Sequence, residues 1–173
     1  MDKLIIKGGS KISGSVNVHG SKNSALPIIV SSLLSKKTLK LSNVPNVVDV
    51  LNLIKLLKNY GVKIEHKKNK LKINPSKIKN LSADYDVVRK MRASILILGP
   101  LLSRFGEARI SLPGGCAIGT RPIDIHLAGL SKLGANFEIQ NGFVVGSVKS
   151  QLIGNKIKLP FPSVGATENI LSL

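Results

Sequence analysis

Leu57-Lys58-Asn59-Tyr60-Gly61-Val62-Lys63-Ile64 returns later in the chain as Leu130-Ser131-Lys132-Leu133-Gly134-Ala135-Asn136-Phe137. Each copy reads as the last turn of a helix, a glycine stop and the alternating start of a strand. Upstream of the first copy, Val50, Leu53, Ile54 and Leu57 recur at helical spacing, so Asp49 to Asn59 is an amphipathic helix. Upstream of the second, Ile123, Leu127 and Leu130 do the same, and Pro122 suits the first turn of that helix. Downstream, Leu71-Lys72-Ile73 and Phe143-Val144-Val145 each read as a second strand that pairs back on the first.

The likeness extends further outward. Leu39-Lys40-Leu41 alternates like a half-buried strand, and Arg109-Ile110-Ser111-Leu112 repeats it. A helix from Ser24 to Leu34 has its counterpart in Ala93-Ser94-Ile95-Leu96-Ile97 and the residues that follow. Leu4-Ile5-Ile6 and Val16-Asn17-Val18 read as short leading strands, divided by Gly8-Gly9 and Gly14. The chain therefore holds two βαβαββ units, which stack to bury faces that neither covers alone. A third copy opens at Lys156-Ile157-Lys158-Leu159, reaches the start of a helix at Gly165-Ala166-Thr167, and stops at Leu173. Repeat logic thus predicts an α/β domain truncated in its third repeat: 1–21 leading strands, 22–80 first repeat, 81–150 second, 151–173 the start of the third. The unfinished edge after Ile170 is expected to favour aggregation.

Composition narrows the function classes. No apolar run approaches the length of a membrane span, and charges at Asp2, Lys3 and Lys7 interrupt any N-terminal signal. One cysteine forms no internal disulfide, which fits a reducing cytoplasm. The formal net charge of +17 on its own points to nucleic acid or a membrane surface. The lysines are nevertheless scattered, apart from Lys67, Lys68, Lys70 and Lys72. Aromatics are only 3% and Trp is absent, which leaves few platforms for stacking bases. Codon bias of an AT-rich genome also yields Lys, Ile and Asn in excess. No specific nucleic acid and no membrane partner is expected. His19, His66 and His126 share no ligand-like spacing, so no metal site is expected either.

The chemistry concentrates in Leu112-Pro113-Gly114-Gly115-Cys116-Ala117-Ile118-Gly119-Thr120-Arg121-Pro122-Ile123-Asp124-Ile125-His126. Gly114 and Gly115 let the backbone turn sharply before Cys116. Arg121 precedes a helix N-terminus, where unpaired N–H groups favour an anion. A lone intracellular cysteine is most often buried filler. This one lies in a glycine-rich loop near a cation that would lower its pKa. Lys22 and Asn23, at the first helix, and Arg92, in the helix opening the second copy, occupy comparable places. Any one of them alone would read as a solvated surface residue, but in repeated positions they read as an anion site.

The Gly-Gly-Cys loop, with Gly20-Ser21-Lys22-Asn23-Ser24-Ala25-Leu26-Pro27, Met91-Arg92-Ala93-Ser94 and Ser163-Val164-Gly165-Ala166-Thr167, resembles the UDP-N-acetylglucosamine enolpyruvyl transferase family. The resemblance covers essentially the whole chain. It implies an inside-out α/β fold, with helices inside and sheets outside, in two similar domains with the active site between them. This chain would be less than half of such an enzyme, with residues 1–21 packing on the missing domain. It implies transfer of the enolpyruvyl group of phosphoenolpyruvate to the 3-hydroxyl of UDP-N-acetylglucosamine, a step in peptidoglycan synthesis, with no cofactor. Cys116 matches the general acid, which is also the residue alkylated by the epoxide fosfomycin. Lys22, Asn23 and Arg121 match phosphoenolpyruvate contacts. Arg92, Arg121, Pro122, Ile123, Asp124, Ile125, Ser163, Val164 and Gly165 match positions that hold UDP-N-acetylglucosamine. Phe161 departs from the pattern, since the family commonly carries a basic residue there. A related enzyme acting on shikimate 3-phosphate is disfavoured by the Gly-Gly-Cys loop followed by Arg-Pro-Ile-Asp. The other readings left open are a non-catalytic fragment, half of a split enzyme that needs its C-terminal half in trans, and a basic nucleic-acid-binding module.

Overall fold

Alternation builds two sheets of the same design. In the first, β1 (Leu39–Leu41), β2 (Lys63–Lys67) and β3 (Lys70–Asn74) run antiparallel in the order β1-β3-β2, with Leu39 opposite Ile73 and Ile64 opposite Ile73 on the other side. In the second, β4 (Glu107–Ser111), β5 (Ala135–Gln140) and β6 (Phe143–Val148) take the order β4-β6-β5. This computed structural model describes residues 3–82, 92–112 and 123–173, the side chain of Arg92 excepted. Ile64, Leu71 and Ile73 are buried on one face of the first sheet, while Lys40, Lys63, Lys70 and Lys72 are exposed on the other. The period of two sorts the chain in this way.

The helices lie on the buried faces. They are α1 (Lys22–Ser31), α2 (Val48–Asn59), α3 (Leu98–Phe105), α4 (Asp124–Ser131) and α5 (Val164–Leu171). Ile29, Val30 and Leu33 meet Leu53, Leu56 and Leu57 of α2 and Ile97, Leu98, Leu101 and Leu102 of the second repeat in one core, each at most 1% exposed. Burying each such side chain is worth roughly 1.5–3 kcal/mol. Helices inside and sheets outside is the architecture that the family resemblance implies. Gly61 and Gly134 sit at φ 91° and 103°, so both glycine stops serve the left-handed turn that a side chain resists.

Several boundaries differ from the sequence reading. α1 starts at Lys22 and ends in a 3₁₀ turn, Ser32–Leu34. The helix expected from Pro122 begins at Asp124, and Pro122 itself lies outside the described residues. The counterpart of α1 opens as a 3₁₀ segment, Arg92–Ile97, before α3. The strands expected at Leu4–Ile6, Val16–Val18 and Lys156–Leu159 do not form. A strand is completed by a neighbour's N–H and C=O groups, and among the described residues none pairs with these. Leu4, Ile5, Ile6, Ile12, Val16 and Val18 are consequently exposed. Among the described residues at the start of the second repeat, Ser82 forms one parallel bridge to Arg109.

Arg104 joins the two repeats. From the end of α3 its guanidinium donates to the carbonyls of Leu33 (2.8 Å), Ser35 (3.1 Å) and Pro75 (3.0 Å). These are carbonyls that the 3₁₀ turn and the strand end leave open, and a planar fork reaches several at once.

Candidate functional site

The way the chain enters α1 is set by Asn43. Its Oδ1 accepts from the Gly20 N–H at 3.1 Å, and its backbone carbonyl lies where a side chain on Gly20 would be. Ser21 makes no side-chain cap, and no acidic residue occupies the first turn, so the helix N–H groups there face outward uncapped. Lys22 and Asn23 are both exposed at this end. Lys22 Nζ lies 2.7 Å from Asp49 Oδ2, at the start of α2.

The second group of expected residues straddles α4 and α5. Ile123 is the N-cap of α4, Asp124 is exposed in its first turn, and Ile125 is buried. Ser163 caps α5: its Oγ accepts from the Ala166 N–H at 3.3 Å. Val164 is exposed and Gly165 half-buried. The two helices pack closely because glycines face them. A Cβ on Gly129 would come within 2.4 Å of Ile170 Cδ1, and one on Gly165 within 3.3 Å of the His126 ring. Ile170 is therefore half-buried, while Leu171, one residue on, is exposed.

Asn169 links this pair of helices to α3. It is buried, donates from Nδ2 to the Ile95 carbonyl (3.0 Å), accepts at Oδ1 from the Gly99 N–H (2.9 Å), and lies 3.2 Å from His126 Nδ1. Burial of His126 lowers its pKa, against the opposing charge of Asp124. Burial pushes the nearby Glu168 carboxyl upward.

The structure thus brings Ile123, Asp124 and Ile125 beside Ser163, Val164 and Gly165. Lys22 and Asn23 stand on another element, α1, whose main neighbours are α2 and the 3₁₀ segments. Arg92 begins the second of those segments. Cys116, Arg121 and Pro122 lie outside the described residues. Phe161, where the basic residue is missing, is exposed. A cavity of about 150 Å³ runs along α4, lined by Asp124, Ile125, Lys132, Lys158, Leu159 and Pro160. It falls short of the ~300 Å³ at which ligand pockets usually begin. A larger cavity of about 400 Å³ sits on the outer face of the first sheet among Lys40, Glu65, Lys67, Lys70 and Lys72, on elements that carry none of the expected residues. Among the described residues no group of three His, Cys, Asp or Glu side chains is placed to hold a metal, and no helix is long and apolar enough to cross a membrane.

Sequence reasoning missed Asp49, His126 and Asn169 as parts of this arrangement. The one available signal was periodicity. Asn169 follows Ala166 by three residues, and His126 follows Ile123 by three, so each is a polar residue on an apolar stripe.

The family model of EPSP synthase (3-phosphoshikimate 1-carboxyvinyltransferase) matches residues 6–173. UDP-N-acetylglucosamine 1-carboxyvinyltransferase of Campylobacter fetus subsp. fetus is 52% identical over 171 residues, covering 99% of this chain and 41% of the relative. UDP-N-acetylglucosamine 1-carboxyvinyltransferase 1 of Halalkalibacterium halodurans is 49% identical over 172 residues, covering 99% and 39%. The chain spans about two fifths of the length of these relatives. Two solved structures share the fold at 21% identity. They are the enolpyruvyl transferase NikO from Streptomyces tendae (TM-score 0.70, 84% of this chain and 32% of that one) and EPSP synthase from Acinetobacter baumannii (TM-score 0.73, 92% and 37%).

Proposed function

We propose a function from one premise: the chain belongs to the EPSP synthase (3-phosphoshikimate 1-carboxyvinyltransferase) family. Within it, the chain is part of an enzyme that transfers the enolpyruvyl group of phosphoenolpyruvate to the 3-hydroxyl of UDP-N-acetylglucosamine, for peptidoglycan synthesis in the cytoplasm. The observation that carries this choice is identity of about half along 99% of the chain to relatives named for that sugar nucleotide.

The roles follow the matched positions. Lys22, Asn23 and Arg121 hold phosphoenolpyruvate by charge and hydrogen bonding. Arg92 and the segments 121–125 and 163–165 hold the sugar nucleotide. The 3-hydroxyl oxygen bonds to C2 of phosphoenolpyruvate and gives its proton to a base outside this chain. The Cys116 thiol delivers a proton to C3. Phosphate then leaves C2 as C3 gives up a proton, which restores the double bond. A general acid in this role works best with a pKa near the operating pH, and a cation from the same loop, such as Arg121, would move a thiol in that direction.

A second reading is that the chain works with a C-terminal half supplied in trans. One experiment addresses both. The chain is assayed alone, with the C-terminal remainder of the Campylobacter fetus relative added, and as a fusion to it. UDP-N-acetylglucosamine-dependent phosphate release is expected in the completed forms, with fosfomycin adducts on the Cys116 peptide. Cys116→Ser should suppress both. A folded fusion with neither turnover nor adduct would overturn the enzymatic reading.

A further inference from the structure

In the α4–α5 contact the amide of Asn169 lies against the His126 ring. The amide of Asn169 is oriented by backbone alone: Oδ1 accepts from the Gly99 N–H, and Nδ2 donates to the Ile95 carbonyl. Those two groups are four residues apart. The amide therefore stands where an i→i−4 bond would be, at the junction of the 3₁₀ segment with α3. A flipped amide would set donor against donor and acceptor against acceptor. Gly99 admits the intrusion, since a Cβ there would lie 2.7 Å from Asn169 Oδ1. Among the described residues, the second hydrogen on Nδ2 has one acceptor within reach, His126 Nδ1, 3.2 Å away. That nitrogen must present its lone pair, which leaves the ring proton on Nε2.

We propose that Asn169 is a positioning residue that locks His126 as a neutral, Nε2-protonated donor beside Gly165, directed at an acceptor atom of the sugar nucleotide. The ligand assignment rests on the function proposed above, because His126 lies between the two segments expected to hold UDP-N-acetylglucosamine. The lock rests on the hydrogen bonds alone. The Nε2 edge of the ring faces the start of α5, where a Cβ on Gly165 would lie 3.5 Å from Nε2. Among the described residues nothing accepts from Nε2. The carboxylates on the surrounding elements are Asp124 on the same helix, Glu168 on α5 and Glu138 on β5, while Ala93–Ile97 carry no charge. Carboxylates favour imidazolium, but a proton on Nδ1 would meet the Asn169 N–H. Partial burial of the ring acts in the same direction as that clash. A neutral donor holds its hydrogen bond unchanged across the neutral pH range, where a titrating one would not.

The test is nitrogen NMR of the histidine-labelled 173-residue chain, from pH 8 to pH 5, with exposed His19 as internal reference. His126 should show a lone-pair Nδ1 and a protonated Nε2, and should keep that signature below the ordinary imidazole value of about 6.5. In Asn169→Asp a carboxylate faces Nδ1, so the imidazolium should persist to higher pH. A wild-type Nδ1–H signature overturns the lock, and this reading needs no variant to fold. An Asn169→Asp titration matching wild type also overturns it. UDP added to the wild-type chain should shift the Nε2 signal and leave Nδ1 in place. UDP binding that moves neither nitrogen overturns the donor role. A lock that is intact in a chain that binds no UDP supports the positioning claim and counts instead against the nucleotide assignment.

Discussion

Lys22 Nζ stands 2.7 Å from Asp49 Oδ2, and this ion pair ties the first turn of α1 to the first turn of α2. The lysine matched to phosphoenolpyruvate thus already has a carboxylate partner, which aims it and must share it with any incoming anion. Both side chains are over a third exposed, so the pair adds little stability. Asp49→Asn should change unfolding free energy by no more than about 1 kcal/mol, and in the completed enzyme should change the KM for phosphoenolpyruvate. Urea denaturation beside steady-state kinetics checks both. A stability loss well above that figure, with KM unmoved, would make Asp49 a structural residue only.

Arg104 gives the two repeats a shared polar contact. Arg104→Ala leaves three backbone carbonyls without their donor and should destabilise the chain by about 1–3 kcal/mol. Arg104→Lys should recover only part of this, because an ammonium on a flexible stem does not span the fork's geometry. Equal stabilities of the Lys variant and wild type in denaturant titration would contradict this account.

Tyr60 is fully buried, and its hydroxyl has no hydrogen-bond partner among the described residues. Burial raises its pKa far above the ordinary phenol value, so it stays protonated. Removing an unpaired buried hydroxyl relieves a desolvation cost. Tyr60→Phe should leave the melting temperature unchanged or raise it, with a gain on the order of 1 kcal/mol. A clear loss of stability would show that the hydroxyl is bonded.

Acidification should weaken the fold through His126. Its folded pKa lies below the ordinary 6.5, so below that value the unfolded chain binds the proton that the folded chain refuses. The contribution is complete above about pH 6.5 and is lost as pH falls from there toward the folded pKa. Glu168 acts with the opposite sign and lower, because its raised pKa favours the folded form as pH falls toward 4.5. Denaturant midpoints between pH 7.5 and 5.5 should drop for wild type and flatten in His126→Asn. The same slope in both would remove His126 as the cause.

The repeated unit was legible from residues alone because its signals are local. The stripe of Val50, Leu53, Ile54 and Leu57, the glycine stops at 61 and 134, and the alternation of Leu71-Lys72-Ile73 each depend on neighbours a few positions away. Two helices and one antiparallel sheet per repeat follow from them. The Gly-Gly-Cys motif pointed to the family, and Cys116, Arg121 and Pro122 rest on that resemblance, since they lie outside the described residues. Pairing was not legible in the same way. Leu4–Ile6 and Lys156–Leu159 have strand-like residues but no ladder partner among the described residues, and only three-dimensional neighbours decide that. The 3₁₀ segment at Arg92–Ile97 meets α3 where an amide from Asn169, far along the chain, occupies the place of a helical hydrogen bond. Lys22 with Asp49, and Asn169 with His126, are likewise meetings between distant residues. Periodicity determines which face each residue takes. Only packing determines what waits on that face, because the partner's identity and reach come from another part of the chain.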